Sequence, residues 1–251
     1  MNIIDIRRLR LILKQIVGEN PFIKGVLNEH NVCFSFVAGD CCRLLDRTIE
    51  FGIGMVYPLF FLCQKINDKF KIDDCYVQRD VDINISVNID PACIYNSIGE
   101  ITPAGNEIIN KYNVLNHKLE VQENRKIFSL FVYALSFLLS HELGHLLYNH
   151  ETENRICQEW RADNYAINVL YGDERFQPNV RLARPIGMLL SLSLPFIMDI
   201  DNDNEHPEHI DRMNNCLNKV VHDLSEDENE TFREVVRYIQ RHHEEIKNHL
   251  G

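Results

Sequence analysis

The sequence lacks the marks of several large classes of protein. It contains no CxxC pair of the kind that makes a zinc ribbon or a redox site, no P-loop and no GxSxG motif. Charged side chains interrupt the apolar residues near the N-terminus, so the unbroken apolar stretch of a signal peptide is missing. The longest apolar runs cover 127–139 and 186–198, and both are shorter than the roughly 20 residues of a membrane span. We therefore expect no membrane span.

An excess of positive charge is also missing. The 26 lysines and arginines are outnumbered by 37 aspartates and glutamates, which gives a formal net charge of −11. Because a face that binds nucleic acid needs clustered positive charge, we expect no nucleic-acid partner. The eight cysteines come without a secretion signal, so we expect reduced core thiols in a cytoplasmic protein rather than disulfides.

Apolar residues recur at helical spacing along much of the chain. Leu9, Leu13 and Ile16 predict one packed helix over residues 1–18. Further helices are predicted over 124–149, 158–171, 184–198 and 231–250.

Extended structure is predicted only in the first half of the chain. Strict alternation over 81–89 predicts a half-buried strand, and partial alternation predicts extended structure within 26–38. The stretch 46–64 fits either a helix or a strand, and 102–116 is predicted to be a loop with at most one short helix. A small N-terminal sheet followed by helices indicates an α+β fold.

The segment HELGH at 141–145 is the pattern that carries chemistry. On a helix, His141 and His145 lie one turn apart on the same face, so two imidazoles can bind one metal ion. Glu142 projects toward the same region and can take a proton from a water molecule. The pattern follows a stretch that is apolar nearly all round, and buried imidazoles and carboxylates need partners, which a metal supplies.

A third ligand is predicted on the next helix. Glu159 and Asp163 are again four residues apart, so Glu159 can reach the metal while Asp163 accepts a hydrogen bond from a ligand histidine. The alternative is a solvated face on which both carboxylates pair with neighbouring arginines. Glu151 and Glu153 are weaker rival ligands, because they are only a turn or two beyond the motif.

HELGHLLYNH (141–150) followed by QEWRADNYA (158–166) resembles the gluzincin metallopeptidases, whose signature is HExxH and then ExxAD. The segment from His206 to Arg212 resembles the HPxxxxR pattern of the heat-shock and CAAX-type membrane peptidases. Similar layouts occur in the soluble phage-exclusion (Lit-type) and ImmA/IrrE-like peptidases. The resemblance covers about 140–212, and the first 120 residues resemble no family.

The resemblance implies a zincin-like fold with a buried active-site helix and a mainly helical C-terminal half. It suggests a mixed region at 1–75, a catalytic core at 76–220 and an amphipathic helix at 221–251, all in one compact unit. It also suggests His206 or Arg212 as donors to the oxyanion of the tetrahedral intermediate, with Tyr165 and Tyr148 as further candidates. In such folds a sheet edge binds the substrate backbone, which gives the strand at 81–89 a possible second role.

These observations predict a zinc-dependent endopeptidase with a protein or peptide substrate. Zinc would be bound by His141, His145 and Glu159, Asp163 would orient a ligand histidine, and Glu142 would act as general base. Two alternatives stay open. One is a latent defence or regulatory protease that needs a trigger, with the acidic tract 199–208 as a lid. The other is a binding module in which zinc is structural.

Overall fold

A computed structural model describes residues 7–72, 85–120, 125–148, 154–171, 181–198 and 208–250. These residues form the predicted α+β fold, with a small N-terminal sheet and a mainly helical remainder. Packing divides the chain into two units, Met1–Tyr57 with Gln78–Asn124, and Pro58–Val77 with Arg125–Gly251. Our three-part division of the sequence stays a prediction.

The first unit contains the sheet and three flanking helices. Its elements are α1 (Arg7–Glu19), α2 (Pro21–His30), β1 (Cys33–Val37), β2 (Cys42–Leu45), β3 (Thr48–Gly52), the start of α3 (Ile53–Phe70), β4 (Val87–Ile89) and α4 (Pro103–Glu120). The predicted face of α1 is buried, since Leu9, Leu13 and Ile16 are at most 2% exposed. The stretch 46–64, which fitted either a helix or a strand, contains both: β3 comes first and the start of α3 follows.

Two helices occupy stretches for which the sequence predicted other structure. Extended structure was expected from residue 26, but α2 continues to His30, and β1 begins only at Cys33. Asn20 caps α2 by accepting hydrogen bonds from the backbone nitrogens of Phe22 and Ile23. The loop expected at 102–116 is wrong as well, because α4 spans it.

The start of α4 explains the second error. Pro103 occupies its first position, and Thr102 Oγ1 accepts a hydrogen bond from the nitrogen of Gly105 at 2.9 Å. Proline and glycine are common in loops, which is why a loop was predicted, but here they lie in the first turn of a helix.

The sheet has the order β2-β3-β1-β4. Strand β1 is parallel to β3 and to β4, whereas β2 and β3 form an antiparallel hairpin. Asp46 and Arg47 join the hairpin with positive φ values of 43° and 65°, as a tight turn compatible with strand twist requires. Of the strand predicted over 81–89, Val87–Ile89 is a strand, and 81–84 lie outside the described residues.

The second unit is a helical bundle. After the end of α3 it contains α5 (Arg125–Tyr148), α6 (Arg155–Tyr171), α7 (Ala183–Ile197), α8 (His209–Val220) and α9 (Glu226–Leu250). The predicted helices are therefore confirmed, although α9 begins before residue 231. Its start is fixed by Ser225 and Glu228, whose side chains each accept a hydrogen bond from the other's backbone nitrogen.

Helix α5 lies between α6 and α7, and nearly every side chain from Ile127 to Gly144 is buried. It approaches α7 closely, because a Cβ at Gly187 would lie 2.7 Å from the carbonyl oxygen of Leu130. Its segment Lys126–Tyr148 is long and apolar enough to cross a bilayer, but 89% of the most apolar window is buried in the protein. That burial is what a core helix shows, so the described part of the chain shows no clear membrane span.

The cysteines correct part of our expectation. Six of the eight have described side chains, and all six are free thiols. Cys63 and Cys216 are buried core thiols, as predicted, but Cys33, Cys41 and Cys157 are exposed.

Candidate functional site

Helix α5 brings two histidines together near its C-terminal end. The Nε2 atoms of His141 and His145 lie 3.1 Å apart, and the two rings are nearly perpendicular. His141 is 8% exposed, and its ring stacks on Phe137 one turn earlier, with 6.3 Å between centroids. Phe137 thus holds the His141 ring in place by packing. Sequence reasoning missed this contact, although Phe137 lies four residues before His141 and so shares its face of the helix.

Helix α6 adds a carboxylate that faces both imidazoles. Glu159 Oε2 lies 3.3 Å from His141 Nε2, and Oε1 lies 3.4 Å from His145 Nε2. The ligand-type atoms of the three side chains all lie within 4.8 Å of one another. Among the described residues, these three form the group of histidine and carboxylate side chains that could hold a metal ion.

A close approach of the two helices makes this arrangement possible. A Cβ placed on Gly144 would lie 2.8 Å from the Cα of Ala162, which is shorter than any ordinary contact. Only glycine at 144 lets α5 and α6 lie this near to each other. Ala162 supplies the small side chain on the other helix, and sequence reasoning missed the role of the glycine inside HELGH.

Asp163 lies one turn after Glu159 and binds the other side of His141. Its Oδ1 is 2.9 Å from His141 Nδ1, and the side chain is 1% exposed. When the ring is neutral and donates its Nδ1–H to Asp163, the lone pair of Nε2 is directed toward His145 and Glu159. The contact joins the two side chains that spacing predicted to meet, while the metal-binding role of His141 stays a prediction.

Arg212 of α8 binds the same aspartate with two hydrogen bonds. Its Nε donates to Asp163 Oδ2 at 2.8 Å, and its Nη2 donates to Oδ1 at 2.7 Å. Nη2 is also 3.6 Å from Glu159 Oε2, and the arginine side chain is only 11% exposed. The geometry favours a positioning role for Arg212, which sequence reasoning missed, and its role as oxyanion donor stays a prediction.

The charges of these groups are strongly coupled. Burial lowers the pKa of His141, but hydrogen bonds to Asp163 and Glu159 outweigh it and raise the pKa to about 10. Burial raises the pKa of Glu159, but the two histidines outweigh it and hold the pKa well below its usual range. Burial raises the pKa of Asp163 as well, but the charge and hydrogen bonds of Arg212 outweigh burial, so the pKa of Asp163 is lowered. Without a metal, His141 therefore holds a proton that a bound cation would replace.

The other candidate residues have varied placements. Glu142 is 7% exposed beside His141. The ring of Tyr165 packs edge-on against Tyr148, with 6.2 Å between centroids, and burial followed by the charge of Tyr148 raises the pKa of Tyr165. His206 and the rival ligands at 151 and 153 lie outside the described residues.

Comparison with known families decides the broad class. The family model described as Peptidase U49 matches residues 106–235, which are 130 residues and just over half of the chain. The chain belongs to this family. The U49 peptidases are of the Lit type, one of the groups whose layout the sequence resembles. Membership makes the chain a peptidase, and therefore a hydrolase whose substrate is a protein or peptide.

The U49 match contains every described residue of the cluster, from His141 to Arg212. Along the chain it also extends into α4, which precedes those residues, and into α9, which follows them. No curated protein and no solved structure matches the chain.

Proposed function

We propose that this U49 peptidase is a zinc-dependent endopeptidase whose metal is bound by His141, His145 and Glu159. The observation that carries the proposal is the mutual spacing of three ligand atoms on two helices, 3.1, 3.3 and 3.4 Å. All three side chains lie at the C-terminal part of α5 or on α6, and the Gly144 contact sets the distance between these helices.

The spacing supports zinc. Zinc binds nitrogen and oxygen ligands at about 2.0–2.2 Å in tetrahedral geometry, which puts neighbouring ligand atoms about 3.3–3.6 Å apart. The three distances between the ligand atoms, 3.1, 3.3 and 3.4 Å, lie in or close to that range. Two imidazoles with one carboxylate is also a donor set that catalytic zinc sites use, with the fourth position left for water or substrate.

The number of protein ligands favours catalysis over a structural site. Structural zinc is usually closed by four protein ligands, whereas the described residues supply three. A structural site would also have no use for Glu142, a carboxylate that is 93% buried beside the first histidine. When bound, zinc would supply Lewis acidity, which polarises the scissile carbonyl and makes a neighbouring water more acidic.

Glu142 moves the proton in the proposed reaction. Its carboxylate takes a proton from the attacking water and later gives it to the leaving amine nitrogen. Asp163 holds His141 by the hydrogen bond at Nδ1, and Arg212 holds Asp163 by its two hydrogen bonds. His206, Arg212, Tyr165 and Tyr148 remain our candidates for stabilising the oxyanion. Cytoplasmic location stays a prediction.

The proposal is tested by comparing wild type with Glu142→Gln. Both proteins are purified without chelators, their zinc content is measured, and cleavage of an unfolded casein substrate is followed. We expect about one zinc per chain in both and cleavage by wild type alone. Cleavage by both variants would contradict the role of Glu142, and absence of zinc from both would contradict the proposal. Zinc in both without cleavage by either would favour the latent protease or the binding module.

A further inference from the structure

A groove of about 450 Å³ lies in the second unit, between the end of α3 and the middle of α9. Seven residues line it: Lys69, Phe70, Glu234, Arg237, Tyr238, Arg241 and His242. None of them belongs to the proposed catalytic site. The volume lies within the range of about 300–1,000 Å³ that small-molecule sites occupy.

The groove is positively charged although the chain is acidic. Three of its residues are lysine or arginine, a fourth is histidine, and one is glutamate. The formal net charge of the whole chain is −11. The groove therefore has the opposite sign of charge to the chain as a whole, and it attracts anions locally.

Aromatic rings hold one of these cations in place. Lys69 Nζ lies 4.7 Å from the ring centroid of Tyr238 and 5.9 Å from that of Phe70. The two rings meet nearly at right angles, with 5.7 Å between centroids. Cation–π attraction thus keeps the ammonium group of Lys69 at the groove instead of leaving it to sample solvent.

The cations of α9 lie on one face of the helix. Arg237 and Arg241 are one turn apart, and Arg237 is held by an ion pair with Glu230 at 2.9 Å. Arg241 makes no ion pair within the part of the chain that the structure describes, so its guanidinium is available to a ligand.

A kink in α9 lies at the end of this face. His242 has φ −119° and ψ 17°, which interrupts the helix at a residue that lines the groove. Its ring packs against Tyr238 at 4.7 Å, and its Nδ1 lies 3.3 Å from Glu245 Oε2. The kink and the aromatic contact give the groove a defined end.

We propose that this groove binds a small organic phosphate. The phosphate group would contact Lys69 and Arg241, and the organic part would lie against Phe70 and Tyr238. Arg237 is paired with Glu230, so Lys69 and Arg241 are the cations left to face a ligand. Two cations match a phosphomonoester, which carries about −1.5 to −2 charges at pH 7, better than a carboxylate with one. Guanidinium groups also bind phosphate through two parallel hydrogen bonds.

The test measures binding of four probes to the full-length chain by NMR titration or calorimetry. The probes are phenyl phosphate, glycerol 2-phosphate, inorganic phosphate and benzoate. We expect saturable binding with phenyl phosphate the tightest, because it combines the dianion with a ring. Equal binding of the two organic phosphates would overturn the aromatic contact, and equal, unsaturable binding of all four would mean an adventitious ion only.

Matched variants locate the site. Arg241→Ala should weaken phenyl phosphate at least about fivefold, as expected when a charge-assisted hydrogen bond is lost from an exposed groove. Tyr238→Ala should weaken phenyl phosphate more than inorganic phosphate, because it removes the ring contact as well as the cation–π support of Lys69. Arg233→Ala removes the same charge from α9 outside the groove and should change the affinity less than twofold. Equal losses in Arg241→Ala and Arg233→Ala would overturn the proposal, and melting temperatures verify that each variant folds.

Discussion

Gly144→Ala adds one methyl group where α5 and α6 approach each other most closely. The new Cβ would lie 2.8 Å from the Cα of Ala162 and 3.3 Å from both its Cβ and its carbonyl oxygen. Ordinary contacts between carbon atoms are about 3.5–4.0 Å long, so the helices must separate by roughly 0.7 Å or more. Backbone atoms form the obstacle, and no side chain can rotate away to relieve the clash.

Two free-energy terms of opposite sign follow from the change. Overpacking of this kind costs about 1–3 kcal/mol, and replacing a helical glycine by alanine returns about 1 kcal/mol. The net loss of roughly 0–2 kcal/mol lowers the melting temperature by at most about 8 °C for a chain of this size. Metal binding should suffer more, because Glu159 moves with α6 away from the two histidines of α5. We expect zinc affinity to fall about tenfold or more.

The assay is competition for zinc with a chromophoric chelator, with melting temperatures measured on the same samples. Gly25→Ala is the control, because it lies inside helix α2 and its Cβ would meet nothing within 4 Å. That variant should keep wild-type zinc affinity and gain up to about 1 kcal/mol of stability. Wild-type zinc affinity in Gly144→Ala would refute the claim that this helix contact sets the ligand spacing.

Three further predictions concern buried charges and thiols. Asp163→Asn removes the charge that accepts both hydrogen bonds of Arg212 and leaves only the more distant Glu159, 3.6 Å from Nη2. Because breaking a buried pair costs about 3–5 kcal/mol, calorimetry should show a clearly lower melting temperature, and an unchanged one would refute the pairing. Arg212→Lys cannot bond both oxygens of Asp163 in the same way, so chelator competition should show zinc affinity about 10–100-fold lower, and wild-type affinity would contradict the positioning role. At pH 8 a thiol reagent should modify Cys157 quickly but spare Cys63 and Cys216, because burial raises both pKa values, that of Cys216 to about 12. Peptide mapping measures this, and fast labelling of Cys216 in folded protein would contradict its burial.

Local pattern was enough to predict the long helices and the two histidines. The spacing of His141 and His145 depends only on helix geometry, and so does that of Glu159 and Asp163. Their meeting depends on how α5 and α6 pack, which the sequence records only in the small residues at 144 and 162. These small residues indicate a close helix contact only when it is known that α5 and α6 pack against each other.

Other features depended on tertiary context or on turn chemistry. The contact between Arg212 and Asp163 joins residues 49 positions apart, and spacing along one helix cannot predict it. Helix α4 was missed because Pro103 and Gly105 are typical of loops, although proline also favours the first turn of a helix. Helix α2, which ends later than expected, likewise begins at a proline, Pro21. The early start of α9 was missed because the capping pair at 225 and 228 lies within an acidic tract.

X-ray absorption spectroscopy of the zinc-loaded protein tests the central claim most directly. We predict light ligand atoms only, at about 2.0–2.1 Å, with the outer-shell scattering of two imidazoles. His141→Ala should remove one imidazole from that scattering, and mutation of the exposed Cys157 should leave the spectrum unchanged. Sulfur at about 2.3 Å, or a spectrum that is the same in His141→Ala, would contradict the assignment of the metal to His141, His145 and Glu159.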